Sequence, residues 1–279
     1  MRHNHKIAKY LYLKRAGLGE LSLPSRPSPD GLMASETNSP TTYPARTPHT
    51  AVDTAQDYWE EPNFGLALRV PADKQAKTAR GHTFFNGNGV YHESELEHRV
   101  SSVLQTLFEL RELQSQYPKV HYIDADGVQR EHTFDYFIVL NDGTRVAVAV
   151  KYARKRVEML DLLDRICAAG ITGVGPLGKL TPRVADAVAL MTNEEATQEA
   201  FENAYFILTS RLHHDDAECD SLVDVVKRLP GQFRFGDLLR DVPTRDKRRT
   251  AIWRLIDLRL IAPVYSGRID DRSWLRACA

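Results

Sequence analysis

The chain has 279 residues, 42% of them hydrophobic and 9% aromatic, and its 37 basic and 37 acidic side chains cancel to a formal net charge of zero. That length can bury one large core or two modest ones, well above the marginal size range. Zero net charge excludes a global attraction to nucleic acid, so only local clusters of charge would carry such a function; no apolar run approaches the roughly 20 residues of a membrane span.

Residues 1–23 form a short basic segment, with Arg2, Lys6, Lys9, Lys14 and Arg15 around the apolar points Ile7, Leu11 and Leu13. It lacks the continuous apolar stretch and small-residue cleavage site of a secretory signal, and a cytoplasmic protein with no membrane partner is expected. Residues 24–80 read as a Pro/Ser/Thr-rich linker, disordered over 24–56, where Pro24, Pro27, Pro29, Pro40, Pro44 and Pro48 sit among small polar residues. Within it Tyr58-Trp59, Phe64, Leu66 and Leu68 form an apolar patch expected to dock on the next domain. Phe84-Phe85 and Asn86-Gly87-Asn88-Gly89 then supply an aromatic anchor and a turn.

A domain over residues 81–180 is expected to have an α-β-β-β-α core. Leu96, Val100, Val103, Leu104, Leu107 and Leu110 predict one helix from Glu93 to Ser115, stopped by Pro118. Strands are predicted at Lys119–Asp124, His132–Leu140 and Arg145–Tyr152, separated by the turn signals Asp124-Ala125-Asp126-Gly127 and Asn141-Asp142-Gly143. Val146-Ala147-Val148-Ala149-Val150 is apolar on both faces, which puts that strand mid-sheet. A second helix is predicted from Arg156 to Ala169. Cys167 on it reads as a core residue; three widely spaced cysteines do not make a disulfide framework.

Residues 181–279 read as a helical domain after a glycine-rich connection (Gly170, Gly173, Gly175, Gly178) that lacks the Gly-Lys-Ser/Thr of a phosphate loop. Helices are expected over 181–212, then at Ser221–Leu229, Phe235–Val242 and Thr244–Ile261. Pro263–Arg268 and Ser273–Leu275 complete a small β-wing about Gly267, the order of a winged helix-turn-helix. His213-His214-Asp215-Asp216 with Cys219 has metal-binding residue types, but no second ligand pair stands at zinc spacing, so it reads as a polar loop.

The chemistry concentrates in the first domain. If Asn141-Asp142-Gly143 is a three-residue hairpin loop, Leu140 faces Thr144 and Asp135 stands opposite Ala149, with Lys151 two residues further on the same face. Glu97, at the edge of the helical stripe, is positioned to point over that face. Two carboxylates beside a lysine suit metal-assisted phosphodiester hydrolysis: oxygen ligands for Mg²⁺ and a cation for the attacking water or developing charge. Glu93 is an alternative ligand, although a solvated helix edge is its simpler reading.

Glu93-Ser94-Glu95-Leu96-Glu97, Gln116-Tyr117-Pro118, His132–Phe137, Asn141–Thr144 and Val146–Lys151, kept in order and spacing, resemble the N-terminal domain of TnsA-type transposon endonucleases, within the PD-(D/E)xK restriction-endonuclease-like group. The resemblance implies an active site of Glu97 (or Glu93), Asp135 and Lys151, with the backbone carbonyl of Val150 as a further ligand to Mg²⁺ or Mn²⁺. It also implies a winged-helix C-terminal domain and cleavage of double-stranded DNA alongside a transposase and an ATPase regulator. The chain departs from the family pattern at Ala149, where Glu or Gln is usual, and at Phe134, where proline is usual. A methyl group cannot ligate a metal, so the alternative is a catalytically inactive nuclease fold that binds DNA or docks such partners.

Two basic clusters are candidate DNA contacts. Arg154, Lys155 and Arg156 follow Lys151 directly, and between Lys227 and Arg259 there are ten basic and four acidic residues. Lys247, Arg248, Arg249 and Arg254 lie on the predicted recognition helix.

Overall fold

The structure, a computed structural model, describes residues 63–68, 80–175 and 178–278. The expectations for residues 1–62, Tyr58-Trp59 among them, lie outside these. Phe64 and Leu66 do dock: the Phe64 ring stacks on Tyr91 at 3.5 Å, and the Leu66 N–H donates to Gln114 Oε1 at 3.1 Å.

The described residues form a mixed α/β protein with several sheets and five α-helices. Strands β1 (Gly81–Phe85) and β2 (Asn88–His92) pair around Asn86-Gly87, whose φ angles of 50° and 79° are those of a two-residue hairpin turn. Helix α1 (Glu95–Gln105) starts at Ser94, whose side chain accepts from the Glu97 N–H, and buries Leu96, Val100 and Leu104. The helix expected to reach Ser115 stops ten residues short of that. Thr106 caps it, its hydroxyl donating to the Val103 carbonyl at 2.8 Å, and Leu110–Ser115 becomes strand β3. Leu107 and Leu110 still pack on the core that α1 covers, so the apolar stripe continues although the backbone has changed conformation.

The main sheet has the order β10-β7-β6-β3, built from β3, β6 (Tyr136–Leu140), β7 (Arg145–Val150) and β10 (Ala187–Met191). Both β3–β6 and β6–β7 are antiparallel, while β10 runs parallel to β7. Strand β10 lies where helix was expected, so the sheet continues past residue 180. Its Ala-Val-Ala-Leu-Met composition suits either state, and pairing with β7 decides. As expected, β7 is central and buried along nearly its whole length. Val146, Val148 and Val150 face α1, whereas Ala147 and Ala149 face α2 (Arg156–Ala168) with Met159, Leu163 and Ile166. Cys167 on α2 is exposed, not part of the core: Ile166 takes the inward position beside it.

The single strand expected over His132–Leu140 is two. Strand β5 (Gln129–Thr133) pairs with β4 (Lys119–Ile123) in an outer sheet of order β5-β4-β8-β9, with β8 (Gly173–Val174) and β9 (Leu180–Thr181). A Cβ on Gly173 would lie 2.2 Å from the Lys119 carbonyl oxygen, so this close approach requires glycine.

The C-terminal part begins with α3 (Gln198–His213) and α4 (Asp216–Arg228). His213-His214-Asp215-Asp216 is the junction between them, where Asp215 caps α4 by accepting from the Glu218 N–H at 3.0 Å. Next come β11 (Gln232–Arg234), a 3₁₀ turn (Phe235–Leu239), α5 (Arg245–Asp257), β12 (Ile261–Pro263) and β13 (Trp274–Ala277). The strand expected over Pro263–Arg268 falls earlier, at β12, and shares only Pro263 with it, the one expected over Ser273–Leu275 falls at β13, and β11, absent from the sequence reading, completes a sheet of order β11-β13-β12. Its inner side and the helices enclose Leu222, Phe235, Ile252, Leu255 and Leu275. Helix α3 links the two parts: Arg211 donates to the Gln105 carbonyl at the end of α1 and, through two nitrogens, to Asp257 of α5. Among the described residues no helix is long and apolar enough to cross a membrane.

Candidate active site

The hairpin loop Asn141-Asp142-Gly143 sets the register of the site. The Leu140 N–H donates to the Thr144 carbonyl and the Gly143 N–H to the Leu140 carbonyl, with Gly143 at φ 85°. Tyr136 therefore pairs with Val148, and the next residue back, Asp135, comes opposite Ala149. Phe134 and Phe137, three residues apart, both enter the core on the α2 side, so strict alternation fails between them. Asp135 sits at that break. Its Oδ2 accepts from the Val150 N–H at 2.7 Å, so a carboxylate extends the ladder just before β6 begins.

Glu97 reaches the site from the first turn of α1. Its Oε2 accepts from the Glu93 N–H at 2.7 Å and its Oε1 from the Ser94 hydroxyl at 2.9 Å, while the Glu97 N–H donates back to Ser94 Oγ. This reciprocal cap fixes the carboxylate relative to the helix axis. Burial pushes the Glu97 carboxyl above its ordinary range; the bonds from Glu93 and Ser94 oppose this, the Glu93 charge adds to it, and the Lys151 ammonium opposes it. Tyr136, fully buried, ties the helix to the sheet: its hydroxyl lies 3.1 Å from the Tyr91 carbonyl oxygen and 3.0 Å from that of Glu97. Burial, then the charges of Glu97 and Asp135, hold its phenol well above the ordinary value.

Lys151 is the first residue beyond β7, and its N–H donates to the Met191 carbonyl of β10 at 3.2 Å. Its charge acts on Glu97 from the α1 side and on His132 from β5. Burial, and then Lys151, lower the His132 imidazole to about 4, and its Nε2 is buried without a hydrogen-bond partner. Glu97 does not share the expected face: α1, which carries it, covers the face of β7 opposite that of Ala149. At the carboxyl end of β7, where ligand sites of open α/β sheets usually lie, Asp135 accepts from the Val150 N–H and the Lys151 charge reaches Glu97 and His132. Glu93, the alternative ligand, is tied to Glu97 through its N–H. Val150, the last residue of β7, puts its side chain into the α1-side core and its N–H on Asp135.

Among the described residues no group of three or more His, Cys, Asp or Glu is gathered to hold a metal. Ala149 is fully buried beneath α2 and contributes nothing to such a group. Glu97 and Asp135 are the two carboxylates with the oxygen chemistry that suits Mg²⁺, a cation that commonly takes one or two protein carboxylates.

The basic residues divide sharply. Arg154 and Lys155 are exposed beside the site, Arg154 lying 5.6 Å from the Tyr152 ring centroid and Lys155 4.0 Å from Glu158. Arg156 is instead bound to Thr192 Oγ1, Glu194 and Glu195, holding α2 to the segment after β10. On α5 every expected DNA contact meets an acid of its own domain: Lys247 pairs with Asp215, Arg248 with Glu218, Arg249 with Asp271 and Arg254 with Asp257. Arg248 and Arg254 are buried. These two are interior ion-pair partners, and of the four only Lys247 and Arg249 keep access to solvent.

Sequence reasoning missed His132, Tyr136 and the cations of the C-terminal sheet. A polar ring in otherwise apolar β6 was the available signal for Tyr136; for His132, whose neighbours come from separate strands, there was none. No protein-family model matches the chain, and no curated protein matches it.

Proposed function

We propose that the chain is a Mg²⁺-dependent DNA endonuclease resembling the TnsA transposon endonucleases, cleaving phosphodiester bonds at DNA ends in the cytoplasm, within a transposition-type complex that includes a transposase and an ATPase regulator. One observation supports the reading: Asp135 accepts from the Val150 N–H next to Lys151, and the Lys151 charge reaches Glu97 on the first turn of α1. The succession α1, antiparallel β3-β6-β7, α2 and parallel β10 supports a restriction-endonuclease-like core, and α4, β11, the 3₁₀ turn, α5, β12 and β13 support a winged-helix-like unit after it.

In this reading Glu97 and Asp135 hold the ion, each aimed by a backbone amide, from Glu93 and Val150 respectively. A bound Mg²⁺ supplies polarisation of the scissile phosphate and a lowered pKa for a coordinated water. Lys151 places its positive charge where negative charge grows on the phosphate, in a partly buried setting that strengthens the interaction. Arg154 and Lys155 flank the site as backbone contacts for the substrate.

A second reading is favoured by Ala149: a methyl group fully buried under α2 occupies the usual ligand position. It describes a nuclease fold that retains DNA or partner binding and has lost the chemistry. Nicking of supercoiled DNA with Mg²⁺ or Mn²⁺, alone and with a transposase and ATPase from the same source, separates the two. Nicking that disappears in Asp135→Asn and Lys151→Ala supports the endonuclease; DNA binding with no cleavage in any combination supports the second reading.

A further inference from the structure

Once Lys247, Arg248, Arg249 and Arg254 of α5 are assigned to their acids, the exposed positive charge left in the C-terminal part is Arg245 at the start of α5 together with residues outside that helix, among them two arginines of the sheet. Strand alternation sends Phe233 and Leu275 into the core and leaves Gln232, Arg234, Trp274 and Arg276 on the outer side of the sheet. The register puts Arg234 opposite Trp274 and Gln232 opposite Arg276, so the four make one patch. The Arg234 guanidinium lies 5.1 Å from the centroid of the Trp274 ring, which is 38% exposed. Neither Arg234 nor Arg276 has an ion-pair partner among the described residues. The acids nearest in sequence are committed: Asp237 to Arg240 at 3.0 Å and to the Arg234 N–H at 3.2 Å, and Asp271 to both terminal nitrogens of Arg249.

We propose that this outer face of β11-β13-β12 binds the backbone of duplex DNA, Arg234 and Arg276 each neutralising a phosphate and Trp274 packing against the sugar between them. The patch is cationic and hydrogen-bonding rather than apolar, which selects a polyanion over an apolar protein partner. Guanidinium forks match phosphate oxygens in pairs. Cation–π stacking holds Arg234 in place before binding, so less side-chain entropy is lost when it engages. The inference rests on the DNA reading for the identity of its ligand, and it moves the main contact of the C-terminal part from α5 to the sheet.

The test is fluorescence anisotropy of the full chain with a labelled short duplex over a range of salt concentrations. Each phosphate contact contributes about 0.9 to the slope of log K against log salt. In Arg234→Ala/Arg276→Ala the slope should therefore shrink by about 1.8, with binding weakened most at low salt; Lys247→Ala should leave it within error of wild type. Indole quenching on DNA addition should vanish in Trp274→Phe. Arg276→Gln, which keeps an exposed polar side chain, should lose about half of the double variant's slope change. An unchanged slope in the double variant overturns the assignment, as does failure of the wild type to bind duplex at low salt. Nicking measured on the same proteins separates this claim from the endonuclease reading: cleavage with an unchanged slope sinks the face alone, and a changed slope without cleavage sinks the nuclease alone.

Discussion

Two regions concentrate charge, and they use it in opposite ways. At the end of the main sheet Glu97 and Asp135 are fixed by backbone amides, and the Lys151 charge acts on Glu97. On α5 Lys247, Arg248, Arg249 and Arg254 each meet an acid, Arg248 and Arg254 in the interior, while Arg245 in the first turn stays exposed. Buried pairs of that kind add little net stability but are costly to break, because the remaining charge is stranded away from water. A local excess of basic residues in sequence thus describes possible binding, and the partner of each residue decides it.

The comparison predicts opposite consequences for the two regions. The largest effect belongs to the sheet end: Lys151→Ala should lower nicking by about 10²–10³-fold, the loss typical of one group that stabilises developing charge, while changing unfolding free energy by less than about 1 kcal/mol. A large stability loss without an activity loss would reverse the comparison. On α5, Asp257→Asn strands Arg211 and Arg254, and should cost about 3–5 kcal/mol in urea unfolding while the salt dependence of DNA binding stays as in the wild type. Ser94→Ala removes the cap that also holds the Glu97 carboxylate. It should cost about 1 kcal/mol and lower nicking as well, linking the first turn of α1 to the site.

A smaller, pH-dependent effect separates the fold from the site. Burial first, then the charges of His98 and His82, lower the His92 imidazole to about 4 from an ordinary 6.5. A base depressed in the fold binds fewer protons than in the unfolded chain. Its stabilising preference is complete above pH 6.5 and is lost as pH falls toward 4. Urea midpoints should therefore drop across that window, and His92→Leu should flatten the drop; an equal drop in the variant would assign it to other groups.

What was legible followed from local chemistry. Asn141-Asp142-Gly143 fixed the register that sets Asp135 opposite Ala149, because a glycine at positive φ allows only a few ways to close a tight hairpin. The unbroken apolar run of β7 announced a strand covered on both faces. What was missed depended on distant partners. β10 is helix-compatible by propensity and becomes a strand only through pairing with β7; β3 continues an apolar spacing that α1 had begun. The split between β5 and β6 reflects allegiance to different sheets, which no window of sequence encodes. The acids that pair with four cations of α5 come from α4 and its cap Asp215, from α5 itself and from the loop before β13, so counting cations along the chain overstated the charge available on that helix.

Everything assigned to the sheet end requires Glu97 and Asp135 to converge on one cation. Calorimetric titration of the full chain with Mn²⁺ measures this without DNA, partners or turnover. The account predicts a single binding event that is lost in both Asp135→Asn and Glu97→Gln and survives in Lys151→Ala; no binding in the wild type, or binding that persists in both carboxylate variants, would contradict it.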